Sequence, residues 1–546
     1  MIATTYTRLY RYSFIARYQI YDIQKRVTFP LANATVNTSE PLEVQLVMWA
    51  PKGNGFAYVY LNNVYYRPSA ESTIEYQLTT DGVRNYVYNG VPDWVYEEEV
   101  LASNSAMWFS PDGQKLAYAS FNDTSVPVMT VPFYGAASSP KFQYPHPVNI
   151  RYPKVLFFTA KFYLKVHCCE ILVHATPLLD FVFRQEPLDG DWKKLAIISS
   201  GHISRQRFTQ HPEQLHFFVT SDGLDASSKS PECLSCKLKL SSGSPCTYVV
   251  VSGSPGNSHF ALTCVGPGPF AFGTTNFGFS LMFQQGRLFS SWESNEVVRR
   301  KLQEIKLPTV KYLRAPIERT DIKAYVKLLL PPNLDTSGKT KYPLLVHVYG
   351  GPKSNLAVDT FKMDWNHYLA INKSVIIAHI DGRNSGLKGQ KMLFAGYRRL
   401  GTVEIFDQIN VTRYLQNTLP YIDKSRTAIW GWSYGGYATA MALAQDVNNV
   451  FQCGVSVAPV TDWVYYDTIY TERYMGLPII EDNVMGYIGA SLNNKQSMML
   501  SRQLELKDIM FQQMSYPDEE HGLVGVRPHF YHTLTRFISD CFHLDQ

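Results

Sequence analysis

The sequence predicts two parts: a β-rich part built of repeated short strands, and a part in which a parallel sheet is covered by helices. In the first part, Trp49 and Trp108 each open a similar stretch of strand, turn and strand, 59 residues apart. That spacing is close to the length of one four-stranded propeller blade. From residue 342 onward, apolar strands alternate with amphipathic helical runs, as in a helix-covered parallel sheet. We therefore expect an all-β propeller over residues 1–310 and an α/β domain over residues 311–546.

The second part contains a serine on a sharp turn. The motif Gly-Trp-Ser-Tyr-Gly at 431–435 lies between an apolar run and a helical run, 437–444. The α/β-hydrolase fold presents its nucleophile on such an elbow, and the glycines allow strand and helix to approach closely. The sequence thus predicts an α/β-hydrolase domain with Ser433 as its nucleophile. A chance match in an ordinary loop is the alternative, which the flanking strand and helix disfavour.

A general base is expected after the serine, because the chain order in this fold is serine, acid, histidine. His521 lies in the polar loop 516–522, ahead of an amphipathic helix that reaches Cys541. Such a loop could bring the imidazole to the elbow. Taken alone, a loop histidine is more often a solvated surface residue, so the assignment depends on the place of this loop before the last helix.

Composition excludes several classes of function. At 546 residues the chain can bury two cores, and its net charge of +5 is too small to indicate nucleic-acid binding. No run of 18 apolar residues occurs, and residues 1–21 are polar and aromatic, so no signal or membrane-spanning segment is found. Cys233 and Cys236 form half of a zinc-site pattern, but no second pair lies at ligand spacing. We expect no metal and no cofactor.

N-glycosylation sequons indicate, in contrast, passage through the secretory pathway. They begin at Asn33, Asn37, Asn122, Asn372 and Asn410. Close pairs of cysteines point the same way, because disulfides persist in oxidising compartments. We therefore expect a glycoprotein that is secreted or held at the extracellular face of the plasma membrane.

Four segments together resemble the dipeptidyl peptidase IV subfamily of the prolyl oligopeptidase family. They are Gly-Trp-Ser-Tyr-Gly-Gly-Tyr (431–437), Asp-Trp-Val-Tyr-Tyr-Asp (462–467), Tyr-Thr-Glu-Arg-Tyr-Met-Gly (470–476) and Asp-Trp-Val-Tyr-Glu-Glu-Glu (93–99). The likeness covers about residues 11–153 and 233–541. Asp467 and the paired glutamates favour this subfamily over the related fibroblast activation protein, which differs at the position of Asp467.

The resemblance implies a serine-type dipeptidyl peptidase, which releases dipeptides with proline or alanine in second position through an acyl-enzyme. Ser433 would attack the carbonyl of that second residue, and His521 would take its proton and return it to the leaving amine. The backbone N–H of Tyr434 and the hydroxyl of Tyr349 match the family's oxyanion hole. The expected partners are peptides with a free N-terminus, and a second copy of the chain in a homodimer.

Substrate-binding residues follow from the same resemblance. Glu98 and Glu99 match the acidic pair that holds the peptide ammonium, and Arg11 matches the arginine that binds the carbonyl behind it. The alternative for three consecutive glutamates is a solvated charge run. For the second peptide residue, the resemblance implies a pocket lined by Tyr434, Val460, Trp463, Tyr466 and Tyr470. Aromatic residues at such spacing are more often plain core.

The resemblance also implies three disulfides, Cys233–Cys236, Cys246–Cys264 and Cys453–Cys541. Two further cysteines lie in segment 155–183, which matches no part of the family. A retained intron that replaces blade sequence is the preferred explanation, and a genuine buried hairpin is the alternative. We therefore expect an incomplete propeller, with a truncated N-terminus and this anomalous segment.

The third member of the catalytic triad is missing. In the family, a strand and a short loop between the serine and the histidine deliver an aspartate, but here the chain runs on after Lys495 without them. Asp482, Asp508 and Asp518 do not fill the place convincingly. We expect a hydrolase domain that lacks this strand, and a chain of doubtful activity. The alternative is a non-catalytic accessory glycoprotein related to dipeptidyl peptidases, but such relatives lack the nucleophile and Ser433 is present.

Overall fold

The computed structural model divides the chain into two compact units. The first comprises Met1–Asp191 with Asp467–Arg473, and the second comprises Trp192–Tyr466 with Tyr474–Gln546. Within them, the structure describes residues 1–22, 25–31, 42–110, 112–126, 128–131, 148–151, 161–166, 169–174, 204–208, 215–219, 232–233, 245–253, 260–266, 283–284, 287–288, 296–492 and 497–544.

Small antiparallel sheets make up the first unit. Its strands are β1 (Ile2–Arg8), β2 (Phe14–Asp22), β3 (Val27–Pro30), β4 (Glu43–Val44), β5 (Leu46–Trp49), β6 (Phe56–Tyr60), β7 (Asn63–Arg67), β8 (Tyr76–Gln77), β9 (Val87–Asn89), β10 (Met107–Phe109), β11 (Leu116–Asn122), β12 (Val128–Val131), β13 (Val148–Arg151), β14 (Lys161–Val166) and β15 (Cys169–His174). Strands β1 to β4 form one sheet and β5 to β8 a second. A third contains β9 to β11, β14 and β15, and β12 pairs with β13 alone.

Strand β6 is buried on both faces and joins two apolar cores. Phe56 and Tyr58 pack with β2 and β4, whereas Ala57 and Val59 pack with β10 and β11. Successive side chains of a strand point to opposite faces, so the second sheet is covered by the first sheet on one side and by the third on the other. Propeller blades pack in such a stack. The described residues do not show a closed propeller. They show the stack of three sheets, which is one part of the predicted propeller.

The anomalous segment 155–183 contributes two described strands, β14 and β15. They pair antiparallel with each other, and β14 also pairs antiparallel with β11. The described part of this segment is therefore a hairpin that extends the third sheet.

The second unit begins with further antiparallel strands. They are β16 (Ser204–Phe208), β17 (Leu215–Val219), β18 (Glu232–Cys233), β19 (Tyr248–Gly253), β20 (Phe260–Gly266), β21 (Phe283–Gln284) and β22 (Arg287–Leu288). The hydroxyl of Thr247 donates to the carboxylate of Asp359 at 2.5 Å, and the N–H of Phe361 donates to the carbonyl of Val265 at 2.8 Å. These contacts tie β19 and β20 to the α/β part, so the compact unit begins well before the boundary predicted near residue 310.

The rest of the second unit is a six-stranded sheet with helices. The strands are β23 (Thr309–Pro316), β24 (Lys323–Leu330), β25 (Tyr342–Val348), β26 (Ile376–Asp381), β27 (Ile422–Trp432) and β28 (Cys453–Val457). Their order is β23-β24-β26-β25-β27-β28, and the last four are parallel. The helices of the chain are α1 (Glu296–Gln303), α2 (Trp365–Asn372), α3 (Gln390–Leu393), α4 (Val403–Thr418), α5 (Tyr434–Gln445), α6 (Thr468–Met475), α7 (Val484–Ala490), α8 (Ser497–Leu506) and α9 (Arg527–Phe542). The predicted helix-covered parallel sheet is confirmed.

Strand β28 forms one edge of this sheet. It pairs with β27 alone among the described strands. Its fourth residue, Ser456, is exposed, whereas Leu344 and Val346 of central strand β25 are fully buried. The sheet thus ends where the loss of a strand is predicted, and the gap itself, at residues 493–496, lies outside the described residues.

Candidate active site

The predicted nucleophile stands on a strained turn between β27 and α5. Ser433 has φ 63° and ψ −119°, a left-handed conformation that is costly for a residue with a side chain and is typical of functional turns. Its N–H donates to the carbonyl of Val457 at 2.9 Å, which fixes the turn to β28. A Cβ atom on Gly435 would lie 2.2 Å from the carbonyl oxygen of Val348. Glycine is therefore required there, and the elbow predicted from the motif is confirmed as a local structure.

Two tyrosines lie beside the elbow. Tyr434 is the first residue of α5, so its backbone N–H is among those at the start of a helix that have no intrahelical acceptor. Tyr349 follows β25, is 37% exposed, and has its ring centroid 6.1 Å from that of Tyr434. The structure thus places the rings of these two residues side by side, and their role as an oxyanion hole stays a prediction.

The loop of His521 is attached to the strand that carries the nucleophile. The indole N–H of Trp432 donates to the backbone carbonyl of His521 at 3.0 Å. The ring of Trp432 also packs on Phe530 of α9, with centroids 4.9 Å apart. Because Trp432 directly precedes Ser433, both contacts hold the exposed His521 loop close to the elbow.

Three acids are candidates for the place of the missing aspartate, and the structure describes all three. Asp482 forms an ion pair with Arg398 and accepts from the N–H of Leu477 at 2.5 Å. Asp508 lies in an exposed turn with left-handed backbone, φ 56°. Asp518 lies in the same exposed loop as His521, three residues before it. The loss of the aspartate together with its strand stays a prediction.

Two residues of the predicted specificity pocket, Trp463 and Tyr434, belong to the core, and Tyr434 is 2% exposed. Trp463 is 1% exposed, and its ring lies 5.4 Å from that of Tyr434, 5.2 Å from that of Tyr437 and 5.9 Å from that of Tyr466. Trp463 therefore packs directly against Tyr434 within the core. Val460 and Tyr466 are half-buried, and Tyr470, which belongs to the first unit, is half-buried on α6.

A buried acid that sequence reasoning missed holds the Tyr434 side chain. The hydroxyl of Tyr434 donates to Glu404 at 2.9 Å, and the N–H of Gly401 donates to the same oxygen at 2.5 Å. Burial raises the pKa of Glu404 to about 6, although these donors oppose the shift. The only sequence signal is an acid in the first turn of α4, where a helix favours a carboxylate.

The three consecutive glutamates of the first unit are not a solvated run. They lie on a π-helical turn, Tyr96–Leu101, in which Glu97 is fully buried and the side chains of Glu98 and Glu99 are 14% and 11% exposed. Arg11 approaches Glu98 at 2.5 Å, and Arg473 approaches Glu99 at 3.3 Å. Each glutamate of the pair therefore has its own guanidinium partner.

These carboxylates titrate higher than usual. Burial raises the pKa of Glu99 to about 7, the neighbouring carboxylate of Asp467 adds to the rise, and Arg473 opposes it. Burial also raises the pKa of Asp467 to about 6. Buried acids that are only partly neutralised are favourable for binding a cation. The role of Arg473 was not predicted, because it contacts a residue 374 positions away in the chain.

Two of the three implied disulfides are present. Cys246 is bonded to Cys264, and Cys453 to Cys541. The third implied bond includes Cys236, which lies outside the described residues. Among the described residues, no group of three potential ligands is arranged to hold a metal ion. None of the described helices is long and apolar enough to cross a membrane.

One of the predicted glycosylation sites is wrong. Asn410 is 3% exposed on α4, and its side-chain oxygen accepts from the N–H of Glu318 at 3.0 Å, so the folded chain has no room for a glycan there. Asn122 and Asn372 are exposed, as acceptors must be. Asn33 and Asn37 lie outside the described residues.

A strained serine elbow on a parallel sheet, with a histidine loop fixed beside it, defines a serine hydrolase of the α/β type. Residues 1–172 match the dipeptidyl peptidase IV N-terminal region, and residues 361–497 match the prolyl oligopeptidase family. Venom dipeptidyl peptidase 4 of Vespula vulgaris is 35% identical over 98% of this chain and 83% of its own length. Dipeptidyl peptidase 4 of Felis catus is 31% identical over 100% and 85%. The chain belongs to the dipeptidyl peptidase IV branch of the prolyl oligopeptidase family.

Two further comparisons bear on the fold and on the length. The crystal structure of Porphyromonas gingivalis dipeptidyl peptidase 4 superposes with a TM-score of 0.76, covering 98% of this chain and 88% of that chain at 23% identity, which supports the fold alone. The match with the Vespula relative spans 662 residues, whereas 98% of this chain is about 535. About 127 aligned positions therefore have no counterpart here, which agrees with internal losses.

Proposed function

We propose that this chain is a serine exopeptidase that removes dipeptides, with proline or alanine in second position, from peptides with a free N-terminus. The observation that carries the proposal is the buried pair of Glu98 and Glu99, each beside its own guanidinium, in a chain that also has a serine elbow. A general lipase or esterase has no use for this pair.

In the proposed reaction, Ser433 attacks the carbonyl carbon of the second residue while His521 accepts the hydroxyl proton. The oxyanion that forms is stabilised by the N–H of Tyr434 and the hydroxyl of Tyr349. His521 then donates the proton to the leaving amine, and water repeats the sequence to release the dipeptide.

The acidic pair determines where the chain is cut. An ammonium about 4 Å from a carboxylate gains roughly 4 kcal/mol at intermediate dielectric, before desolvation. Contacts with Glu98 and Glu99 would fix the free N-terminus, with Arg11 beside Glu98 available to the first peptide carbonyl. A dipeptidyl peptidase cuts after the second residue from that terminus, and the resemblance implies that Val460, Tyr466 and Tyr470 line the pocket of that residue.

The chain as it stands is proposed to be impaired. The aspartate that the resemblance places between Ser433 and His521 is missing from its usual position in the sequence, and loss of that aspartate costs roughly 10⁴ in turnover in other triads. The exposed edge at β28 adds a loss of stability, because sheet backbone groups there have no neighbouring strand among the described residues. The non-catalytic alternative is not favoured, because Ser433 retains the strained elbow.

Architecture and location are proposed on coarser grounds. The stacked sheets of the first unit and the match over residues 1–172 support an incomplete propeller. Two disulfides and the exposed sequons at Asn122 and Asn372 support a secreted or extracellular glycoprotein. A homodimer and peptide partners follow from the family.

Covalent labelling tests the nucleophile. We define the repaired chain as this sequence with the corresponding strand and aspartate loop of the Vespula relative inserted between Lys495 and Gln496. A fluorophosphonate probe should label it, and Ser433→Ala should abolish the labelling. Ser456→Ala is the matched control, because Ser456 is an exposed serine of the same sheet. Labelling that survives Ser433→Ala would overturn the assignment.

Substrate blocking tests the acidic pair. The repaired chain should cleave Gly-Pro anilide and leave its N-acetylated form intact, because acetylation removes the ammonium. Glu98→Gln and Glu99→Gln should reduce cleavage of the free substrate. Equal cleavage of both substrates would show that the pair has no part in selection.

A further inference from the structure

The turn that carries Arg11 is a tight hairpin end between β1 and β2. Arg8 braces it by donating to the carbonyls of Tyr10 at 2.9 Å and Arg11 at 3.0 Å. The Arg11 side chain itself is 59% exposed, and an exposed ion pair holds a long side chain only weakly. The placement of Arg11 on Glu98 must therefore come mainly from the backbone of the turn.

That backbone is held by the first of the three glutamates. One carboxylate oxygen of Glu97 accepts from the N–H of Tyr12 at 2.6 Å and from the N–H of Ser13 at 2.9 Å. Glu97 is fully buried, and the partners are 84 and 85 residues away in the chain. Two backbone N–H groups that share one buried acceptor are held in place, because leaving either of them unpaired would cost its full desolvation penalty. The contact therefore joins the Arg11 turn firmly to the segment that carries Glu98.

Glu97 is anchored from the opposite side by Asp93. The N–H of Glu97 donates to the carbonyl of Asp93 at 2.9 Å, and the N–H of Tyr96 donates to its carboxylate at 2.7 Å. Asp93 is 2% exposed. Three neighbouring glutamates thus have different tasks: Glu97 faces inward to the Arg11 turn, Glu98 faces Arg11, and Glu99 faces Arg473.

We propose that Glu97 is a positioning residue, which sets the geometry of the ammonium site by fixing Arg11 against Glu98. The inference rests on the proposed function, since it assigns a role within that site. Glu97 acts through the backbone of Tyr12 and Ser13 and has no contact with substrate. Its side chain places a hydrogen-bond acceptor at a fixed distance from its own backbone. A neutral acceptor on a side chain of the same length should therefore hold the turn equally well.

Two substitutions test separately whether the length or the charge of the Glu97 side chain is required. Glu97→Gln keeps the length and one carbonyl acceptor but removes the charge, whereas Glu97→Asp keeps the charge and is one methylene shorter. Binding of the dipeptide Gly-Pro to the full 546-residue chain is measured by titration calorimetry, with N-acetyl-Gly-Pro as the unbound reference. We expect Glu97→Gln to bind within about twofold of the unmodified chain, and Glu97→Asp to lose about tenfold, or 1.4 kcal/mol.

The matched control is Glu43→Ala. Glu43 forms an exposed ion pair with Arg17 of the same hairpin at 3.2 Å, and its loss should leave binding unchanged. In a double-mutant cycle, Glu97→Asp should cause no further loss of Gly-Pro binding in an Arg11→Ala background. Both substitutions remove the same contact of Arg11 with Glu98, so their effects should not add. Hydrogen exchange provides a second measurement: the amides of Tyr12 and Ser13 should be protected in Glu97→Gln and lose protection in Glu97→Asp.

Several outcomes would overturn the proposal. If Glu97→Gln loses Gly-Pro binding and Glu97→Asp retains it, Glu97 acts by its charge. A positioning role is also excluded if both Glu97 variants retain Gly-Pro binding or if both lose it. It is excluded as well if the losses of binding in Glu97→Asp and Arg11→Ala are additive. Failure of the proposed function is recognised separately, because Gly-Pro binding would then be unaffected by Glu98→Gln and equal to that of the acetylated dipeptide.

Discussion

Glu98 and Glu99 are adjacent in the chain, yet their carboxylates are paired with guanidinium groups from different elements. Arg11 comes from the turn between β1 and β2, and Arg473 comes from α6. Asp467 places a third carboxylate near Glu99 and raises its pKa further. The result is an acidic site whose charge changes close to neutral pH, so substrate affinity should depend on pH.

The charge of Glu99 predicts how Gly-Pro binding varies with pH. Because burial raises the pKa of Glu99 to about 7, this residue takes up a proton as the pH falls through 7 and attracts an ammonium less. Above a pH of about 8 the peptide amine loses its own proton. Affinity measured by calorimetry should therefore be greatest between these values and fall on the acid side. Glu99→Gln should move the acid-side decrease to lower pH, where Asp467, with a pKa of about 6, takes up a proton. A flat profile from pH 5 to 8 in the unmodified chain would contradict the assignment.

The hydrogen bond between Tyr434 and Glu404 predicts a stability effect beside the nucleophile. Tyr434→Phe leaves the buried Glu404 without one of its donors, which should lower the free energy of unfolding by about 1–3 kcal/mol. Urea unfolding of the full chain measures this. Tyr368→Phe is the control, because Tyr368 is 42% exposed and should change stability little. Equal losses in both variants would show that the Glu404 contact is not formed.

At the scale of elements, the α/β sheet combines a buried polar row with an open edge. His347 of β25 stacks on Trp430 of β27, with ring centroids 4.3 Å apart, and lies edge-on to His379 of β26 at 5.1 Å. Both ring nitrogens of His379 are buried without a hydrogen-bond partner. Such rings are accommodated only while neutral. The sheet core should therefore be sensitive to acid.

The histidine pair predicts loss of stability on acidification. Burial lowers the pKa of His347 to about 4 and that of His379 well below 6.5, with Asp364 opposing and Lys362 adding to both shifts. A lowered pKa means that the unfolded chain binds the proton more readily, so stability is complete above pH 6.5 and declines as the pH falls towards 4. His347 alone accounts for about 3 kcal/mol.

Unfolding in urea at several pH values tests this prediction. His347→Gln should flatten the decline between pH 6.5 and pH 4, whereas the exposed His532→Gln should leave it unchanged. An identical decline in His347→Gln and in the unmodified chain would show that His347 does not contribute to the acid sensitivity.

For the whole molecule, the sequence predicted the features set by neighbouring residues better than the features that depend on contacts between distant residues. The elbow of Ser433 was predictable because strand, glycines and helix lie within one short motif. The partners of Glu97 and Glu99 were not, because they come from residues far away in the chain. The sequon at Asn410 failed for the same reason: packing of α4 against the segment of Glu318 buries it.

The losses inferred for the whole chain also limit what the fold can do. About 127 aligned positions of the Vespula relative have no counterpart here, and the largest functional consequence is expected after Lys495. Along the chain, Lys495 comes after β28, the edge strand of the sheet, and before the loop of His521. One loss would thus explain both the open edge and the missing aspartate.

The most direct test of this account compares the chain as it stands with the repaired chain in Gly-Pro anilide turnover, normalised to soluble monodisperse protein. The repaired chain should be roughly 10³ to 10⁴ times faster, because it regains the carboxylate that orients His521. Ser433→Ala in the repaired chain should remove that gain. If the unmodified chain is monodisperse and within about tenfold of the repaired chain, a difference of only about 1.4 kcal/mol, the account is contradicted, and Asp518 or Asp508 would be acting as the third member.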